Sequence, residues 1–274
     1  MTFSDRRLPL AIAASVGVIL GAFALMAPDF LPTPELGNRY ASPWTTPPFG
    51  TDERGIPLWT VAAQGAAIVA LPALLAGLVV AAAATAAGLL RCSSWVRLDA
   101  AVQLVGEMVG ALPRMVVVLV VAVMMPRTAK GLLPVALTWA LLAAPGAMDE
   151  AAAAAGRLGG ARFVEALRAH GFSSTRILLL HVVGYNLRPV VARVAAETAM
   201  QVVYLEIALS YLAVSQGEPS LTHLDSEFSW ANLLYQGYSA LLGEPLWHAG
   251  VLGLGLVGLV AVAALSARSA ARAR

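Results

Sequence analysis

Charged residues are scarce in this sequence. Asp, Glu, Lys and Arg make up only 12% of the 274 residues, whereas 59% are hydrophobic and the mean hydropathy is +0.75. Ordinary soluble domains carry about 25% charged residues. Cysteine is rarer still, since Cys92 is the single cysteine of the sequence. An internal disulfide bond is therefore excluded. The composition therefore excludes an ordinary soluble domain and predicts a membrane protein.

Long runs without charge indicate where the chain crosses the bilayer. Four runs of 18 to 36 residues occupy 8–28, 55–90, 131–148 and 245–267. A span needs about 20 apolar residues, each rising about 1.5 Å along the helix. Two further apolar stretches contain charges, which are Glu107 and Arg114 in one and Arg193, Glu197 and Glu206 in the other. We predict an all-α membrane protein, a single domain with six transmembrane helices at about 8–28, 60–90, 99–125, 131–148, 188–213 and 245–267.

Basic residues predict the orientation of these spans. If the N-terminus is cytoplasmic, thirteen arginines lie in inside loops and flanks, and four basic residues lie outside. This is the bias of the positive-inside rule. Both termini are then cytoplasmic, 29–59 and 214–244 form outer segments, and 149–187 form the sizeable cytoplasmic segment. The first apolar run is longer than the roughly 7–15 residues of a signal-peptide core, so it is expected to be a retained span. The net charge of +2 gives no reason to predict nucleic-acid binding.

The cytoplasmic segment has a helical pattern. Asp149-Glu150 before five alanines predicts a helix start, since acidic side chains favour the positive end of a helix dipole. Gly159-Gly160 predicts a break, and apolar residues at helical spacing then predict a short amphipathic helix that ends at Gly171. Periodicity alone leaves two interpretations open, which are an ordinary interfacial helix and a helix that docks in a partner's groove.

Four short motifs lie in order between residues 49 and 235. They are Phe-Gly-Thr-Asp-Glu-Arg-Gly at 49–55, Glu165-Ala166 followed by Gly171, Glu-Ile-Ala-Leu-Ser-Tyr-Leu at 206–212, and Ser-Trp-Ala-Asn-Leu-Leu at 229–234. In this order and spacing, they resemble motifs of the ABC-importer permeases for dipeptides, oligopeptides and nickel. The subunit resembled is the second, or "C", permease, which implies a type I importer fold with cytoplasmic coupling helices.

Several positions depart from the family pattern. Leu167 stands in place of Ala, Gly184 in place of Pro, and the alanines at 151–155 in place of a basic pair. Ile56-Pro57 follows Gly55 where Arg-Asp is usual, and the loop after Leu212 is longer than the common form. The substrate therefore stays open between a peptide and a nickel chelate or another non-peptide solute.

The resemblance also implies partners and a compartment. It implies a second homologous permease, two cytoplasmic ATPases that hold ATP and Mg, an extracytoplasmic substrate-binding protein and the bacterial inner membrane. The chain has no phosphate-binding loop of the Gly-x-x-x-x-Gly-Lys-Ser/Thr type, so we expect a transport subunit without its own ATPase site and without a cofactor of its own. The residues implied for contact with the ATPase are Arg162, Glu165, Ala166, Arg168, His170 and Gly171.

Charges inside the predicted spans allow two interpretations. An unpaired arginine at the bilayer centre costs roughly 3 kcal/mol or more. Arg114 either lines the pathway and meets a substrate carboxylate, or forms a buried pair with Glu206 or with Glu107, seven residues earlier on the same helical face. The tendency of membrane charges to pair favours the second interpretation. Glu197 belongs to the same group of intramembrane charges.

The outer side carries a second set of predicted contacts. Residues expected to touch the binding protein or to form the outer gate are Asp52, Glu53, Glu218, Trp230 and Asn232. His223, Asp225 and Glu227 could hold a metal, although a solvated loop is the expectation and no metal site is predicted. Glycine pairs at 17/21 and 106/110 predict close helix packing. Tryptophans, Trp230 among them, are expected at the membrane boundaries, and His181 and His248 at helix ends.

Two other classes of protein fit the sequence less well. A secondary transporter needs an inverted repeat and broken helices, and no internal repeat is evident in the sequence. An intramembrane enzyme needs a reactive cluster within the spans, but all four histidines fall in predicted loops or at span ends.

Overall fold

A computed structural model describes residues 4–28, 33–92, 96–124, 131–159, 166–167, 169–173, 176–215, 229–240 and 247–272. All regular secondary structure in these residues is helical, apart from one isolated bridge between Thr51 and Pro57. The prediction of an all-α fold is confirmed. The helices are α1 Ser4–Leu25, α2 Leu58–Arg91, α3 Val96–Gly110, α4 Arg114–Met124, α5 Leu132–Gly159, α6 Arg188–Ser215, α7 Trp230–Ala240 and α8 Trp247–Arg272, with a 3₁₀ turn at Leu36–Asn38 and a π-helix at Ile177–Leu187.

The chain divides into two compact units. Unit 1 contains Met1–Ala73, Ala122–Val135 and Met200–Ala273, and unit 2 contains Leu74–Val121 and Ala136–Ala199. Each unit is therefore assembled from stretches that are distant in sequence.

Two helices are long and apolar enough to cross a membrane, namely α2 and α5. The pair α3 and α4 meets the same test only when both are taken as one span. These elements correspond to the predicted spans at 60–90, 131–148 and 99–125. The predicted spans at 8–28, 188–213 and 245–267 are helical as α1, α6 and α8. However, the described apolar parts of α1 and α8 are shorter, at Ser15–Leu25 and Trp247–Ala263, and α6 contains several charges. Six spans therefore remain a prediction.

The predicted span at 99–125 is not one continuous helix. It bends by 75° between α3 and α4. Pro113 at this point has no N–H to donate along the helix, and Gly110 ends α3. The expectation that Glu107 and Arg114 share one helical face was wrong, because that argument needs an unbroken helix between them.

Helix α5 continues beyond the predicted membrane boundary. Asp149 and Glu150 lie within the helix, so the helix start predicted there was wrong. Alanine has the strongest intrinsic helix propensity, and the alanines after Glu150 extend a helix that has already formed instead of starting a new one. The described part of α5 runs to Gly159, so the predicted break at Gly159-Gly160 stays a prediction.

Glycines allow close helix packing, although not at the predicted pairs. In unit 1, a Cβ added to Gly237 on α7 would lie 2.1 Å from the Cα of Gly250 on α8. In unit 2, a Cβ added to Gly77 on α2 would lie 2.9 Å from the carbonyl oxygen of Ala195 on α6. Among the described residues, a Cβ on Gly17 or Gly21 would meet nothing within 4 Å. Close packing in these units therefore depends on glycines that face another helix at short distance.

Candidate functional site

The loop before α2 is held by its own motif residues. The Asp52 carboxylate accepts hydrogen bonds from the backbone N–H groups of Arg54 at 2.9 Å and Ile56 at 2.8 Å. The Thr51 hydroxyl accepts a bond from the backbone N–H of Ala41 at 2.9 Å and donates to the carbonyl oxygen of Asn38. These bonds fix the turn that leads into α2.

Glycine is required at two places in this loop. Gly50 and Gly55 have φ values of 81° and 80°, in the left-handed region that favours glycine. A Cβ at Gly55 would also lie 2.0 Å from the carbonyl oxygen of Glu35. The Phe-Gly-Thr-Asp-Glu-Arg-Gly motif thus specifies a backbone shape.

A buried carboxyl group lies in the middle of α6. Glu206 is 1% exposed, and its Oε1 accepts hydrogen bonds from the Ser210 hydroxyl at 2.9 Å and the Ser229 hydroxyl at 2.7 Å. Within the described part of the chain, its Oε2 has no hydrogen-bond partner. The Ser229 hydroxyl also caps α7 by accepting the backbone N–H of Ala231 at 3.0 Å. The start of α7 is thereby attached to the carboxyl group of α6.

Three of the four sequence motifs come together in unit 1. The indole Nε1 of Trp230 donates to the carbonyl oxygen of Ala62 on α2, at 2.9 Å. The His248 ring on α8 approaches the carbonyl oxygen of Thr51 at 3.5 Å. Segments 206–212 and 229–234 therefore meet at Glu206, and segment 49–55 contacts α8 in the same unit, although the three segments are far apart in the sequence.

Burial changes the interpretation of two predicted outer contacts. Asp52 is 4% exposed and Trp230 is 2% exposed, so neither side chain presents a surface to a second protein. Trp230 is also not an interfacial residue, because its ring is enclosed between helices. Glu53 is exposed and Asn232 is half-buried, so the contact prediction is retained for these two. Glu218 lies outside the described residues, as do His223, Asp225 and Glu227.

The chain matches no protein-family model and no curated protein sequence.

Only part of the predicted coupling segment is described. Arg162, Glu165 and Arg168 lie outside the described residues, whereas Ala166, His170 and Gly171 are described and exposed. The backbone N–H of His170 donates to the carbonyl oxygen of Ala166 at 3.0 Å, which closes a last helical turn. Gly171 follows with φ of 79°, the conformation that ends a helix in a sharp turn.

The chain after Gly171 is helical again. The Arg176 guanidinium lies 4.9 Å from the centre of the Phe172 ring, and that ring meets His181 edge-on with centroids 6.0 Å apart. His181 lies inside the π-helix, so its prediction as a helix-end residue was wrong, whereas His248, the second residue of α8, does lie at a helix end.

An ion-pair cluster in unit 2 consists of Glu197, Arg193 and Glu150. Glu197 was predicted as a functional intramembrane charge, whereas Arg193 and Glu150 were not predicted as site residues. The Arg193 guanidinium contacts Glu197 Oε1 at 3.1 Å on the same helix, and it also contacts Glu150 Oε1 on α5. A second pair joins Arg91 at the end of α2 to Asp99 on α3, at 2.6 Å. The spacing of four residues between Arg193 and Glu197 indicates in the sequence that the two can pair on one helix. The contact with Glu150 depends on the tertiary fold and has no such pattern.

Arg114 lies at the first position of α4, next to the bend. A Cβ added to Gly146 would lie 3.7 Å from its Nη2, which places the guanidinium against α5. Its neighbours Met115 and Val116 are exposed, as is Glu107 on α3. Arg114 and Glu206 belong to different units, so the predicted pair between them stays a prediction. Within unit 1, the described partners of Glu206 are the two serine hydroxyls.

Cys92 follows α2 directly and is half-buried. Its thiol lies 3.6 Å from the carbonyl oxygen of Ala155 on α5. Burial raises the pKa of the Cys92 thiol above its usual range, because the thiolate is less well solvated there. Among the described residues, no group of three or more His, Cys, Asp or Glu side chains is arranged to hold a metal ion.

Proposed function

We propose that the chain is a permease subunit of an ATP-driven importer and forms half of its translocation pathway. The observation that supports this most strongly is that two motif segments, 206–212 and 229–234, meet at the buried Glu206, while the third, 49–55, contacts α8 in the same unit. These motifs were identified in the sequence by resemblance to one permease family, and in the fold they contact the same group of helices. Motifs that matched the family only by chance would not be expected to lie close together in the fold.

The proposed subunit depends on partners for its energy. A second permease completes the pathway, two cytoplasmic ATPases hydrolyse ATP, and a binding protein delivers the solute from outside. The cytoplasmic turn at Gly171 is exposed, which agrees with a segment that docks on another protein. In this proposal the complex lies in the bacterial inner membrane with both termini of the chain in the cytoplasm.

The substrate class follows from Arg114 in this proposal. A guanidinium beside a break in an apolar helix pair suits the carboxylate of a peptide, which it can bind through two hydrogen bonds. A solute that bears carboxylates, such as a metal chelate, offers the same chemistry.

Co-purification tests the proposal. The tagged chain should bring down a second permease and an ATPase from membranes, and the purified complex should hydrolyse ATP. Glu165→Arg should leave the complex intact but abolish stimulation of ATP hydrolysis by the loaded binding protein, because it reverses a charge on the docking segment. A chain that purifies without an ATPase under conditions that preserve other importers refutes the proposal.

One observation favours a second candidate, a secondary transporter. Such proteins bind their substrates at broken helices near the middle of the membrane, and α3 and α4 form such a broken pair. Uptake into proteoliposomes decides between the two candidates. The permease requires ATP and its partners, whereas a secondary transporter needs only this chain and an ion gradient.

A further inference from the structure

The cytoplasmic segment after Gly159 is connected to unit 2 through two helical legs. The first leg is α5, which ends at Gly159, and the second is the π-helix Ile177–Leu187, which continues directly into α6. Any force on the segment between the legs reaches the rest of the protein through both of them. Whether they move together or separately depends on what joins them.

Arg193 joins the two legs. Its guanidinium contacts Glu150 on α5 and Glu197 on α6, so one cation bridges both helices. Glu150 lies nine residues before the end of α5, which is about 14 Å along the helix from the start of the segment. The Arg193 side chain is 22% exposed and the Glu197 side chain is 18% exposed, whereas the Glu150 side chain is 41% exposed. Solvent therefore weakens the contact with Glu150, which links α5 and α6 by its geometry more than by its strength.

Helix α2 touches both legs near the bridge. A Cβ added to Gly88 would lie 2.5 Å from Leu187 Cδ1 and 3.6 Å from the carbonyl oxygen of Ala151. Packing at Gly88 brings three helices together at one level. Packing holds the helices together without a preferred direction, whereas the ion pair adds a directional link between α5 and α6.

We propose that Arg193 is a positioning residue for energy coupling, which ties α5 to α6 so that displacement of the cytoplasmic segment moves both helices as one body. This inference deepens the proposed function and rests on it. Without the tie, the legs can part when the segment is pushed. ATP hydrolysis would then continue, while much of the displacement would go into separating α5 from α6 instead of moving the outer half of α6.

The test uses the complex of this chain with its partner ATPases, reconstituted in lipid nanodiscs. Tyr204, an exposed residue on α6 about three turns beyond Arg193, is replaced by a genetically encoded fluorescent amino acid. The measurements are the rate of ATP hydrolysis and the change in emission when ATP and vanadate are added.

Two variants break the tie in different ways. Glu150→Gln removes the contact with α5 and leaves Arg193 paired with Glu197, and Arg193→Met removes the cation. Both should assemble, hydrolyse ATP at the wild-type rate and lose most of the emission change. Asp99→Asn is the matched control, because it breaks the ion pair between α2 and α3 and should retain the emission change.

A covalent link separates positioning from general stability. In a Cys92→Ser background, Glu150→Cys with Arg193→Cys should lose the emission change, and a short bismaleimide that joins the two cysteines should restore it. A full emission change in Glu150→Gln overturns the inference, as does a loss of ATP hydrolysis that the cross-link does not reverse. A wild-type complex that hydrolyses no ATP instead refutes the proposed function itself.

Discussion

Ser229 performs two tasks with one hydroxyl group. It donates to the buried Glu206 carboxyl group and accepts the backbone N–H of Ala231 in the first turn of α7. A buried acceptor that loses its donor keeps the cost of its desolvation, so the loss exceeds that of an exposed hydrogen bond. The Ser229 hydroxyl group therefore fixes the start of α7 against α6.

We expect Ser229→Ala to lower the free energy of unfolding by about 1–3 kcal/mol, because it strips both a buried carboxyl partner and a helix cap. Thermal unfolding of the purified protein in detergent measures the change. Ser269→Ala serves as control, since that exposed hydroxyl donates only to the carbonyl oxygen of Ser266 within its own helix. Equal melting temperatures for the two variants would contradict the role assigned to Ser229.

Cys92 should react slowly with alkylating reagents. Its raised pKa lowers the thiolate fraction at neutral pH, and the thiolate is the reactive form. The rate of maleimide labelling should therefore be lower than that of Thr45→Cys, an exposed position, and should still be rising at a pH where the exposed thiol has levelled off. Labelling in denaturant should remove the difference. A faster reaction at Cys92 in the folded protein would show that burial does not control this thiol.

At the scale of elements, α7 and α8 show how closely two helices of this chain approach. The crossing at Gly237 and Gly250 brings backbone against backbone, so any side chain there must push the helices apart. Small residues allow this approach in membrane proteins, where van der Waals packing supplies much of the association.

Gly237→Ala is expected to destabilise the protein by about 1–3 kcal/mol, the usual range for overpacking. The reason is that its new Cβ would lie 2.1 Å from the Cα of Gly250, and neither backbone can move freely. Gly258→Ala on α8 is the matched control, because a Cβ there meets nothing within 4 Å among the described residues. The control should be neutral or stabilising, since Ala favours a helix over Gly. Comparison of the two melting temperatures checks the prediction.

The sequence predicted some elements well for physical reasons. Helix α2 follows from a charge-free run, which predicted a span at 60–90. The helix start at Asp149 was not correct, because a local signal cannot show that the helix has already formed upstream.

The candidate site was less predictable than the helices. The motifs pointed to Glu206 and Trp230 but not to their partners, since the bonds to Ser229 and Ala62 join distant parts of the chain. Glu197 was predicted as an intramembrane charge that lines the pathway or belongs to a buried pair, whereas the bridge from Arg193 to Glu150 needs the packing of α5 against α6. The glycines at 17 and 21 have the spacing that is typical of close helix packing. However, spacing within one helix does not show whether another helix packs against that face.

At the scale of the whole molecule, orientation in the membrane is the main expectation. The basic residues favour an N-terminus and a C-terminus on the same, cytoplasmic side. A reporter enzyme fused after Ala213 should be active outside, and one fused after Gly160 should be active inside. A reporter fused at the C-terminus should also be active inside. The opposite pattern at either internal site would contradict six spans with this orientation.

The bend between α3 and α4 has a consequence for water inside the membrane. A helix that begins afresh leaves its first backbone N–H groups without carbonyl partners, and hydrocarbon offers them none. The first bonds of α4 run from Val116 and Val117 back to Pro113, so the amides of Arg114 and Met115 precede the hydrogen-bonded ladder. In deuterated solvent these two amides should exchange far faster than those in the middle of α2. The exchange rate of these two amides therefore reports whether water reaches the bend. It should be higher when the bend is hydrated than when water is excluded from it.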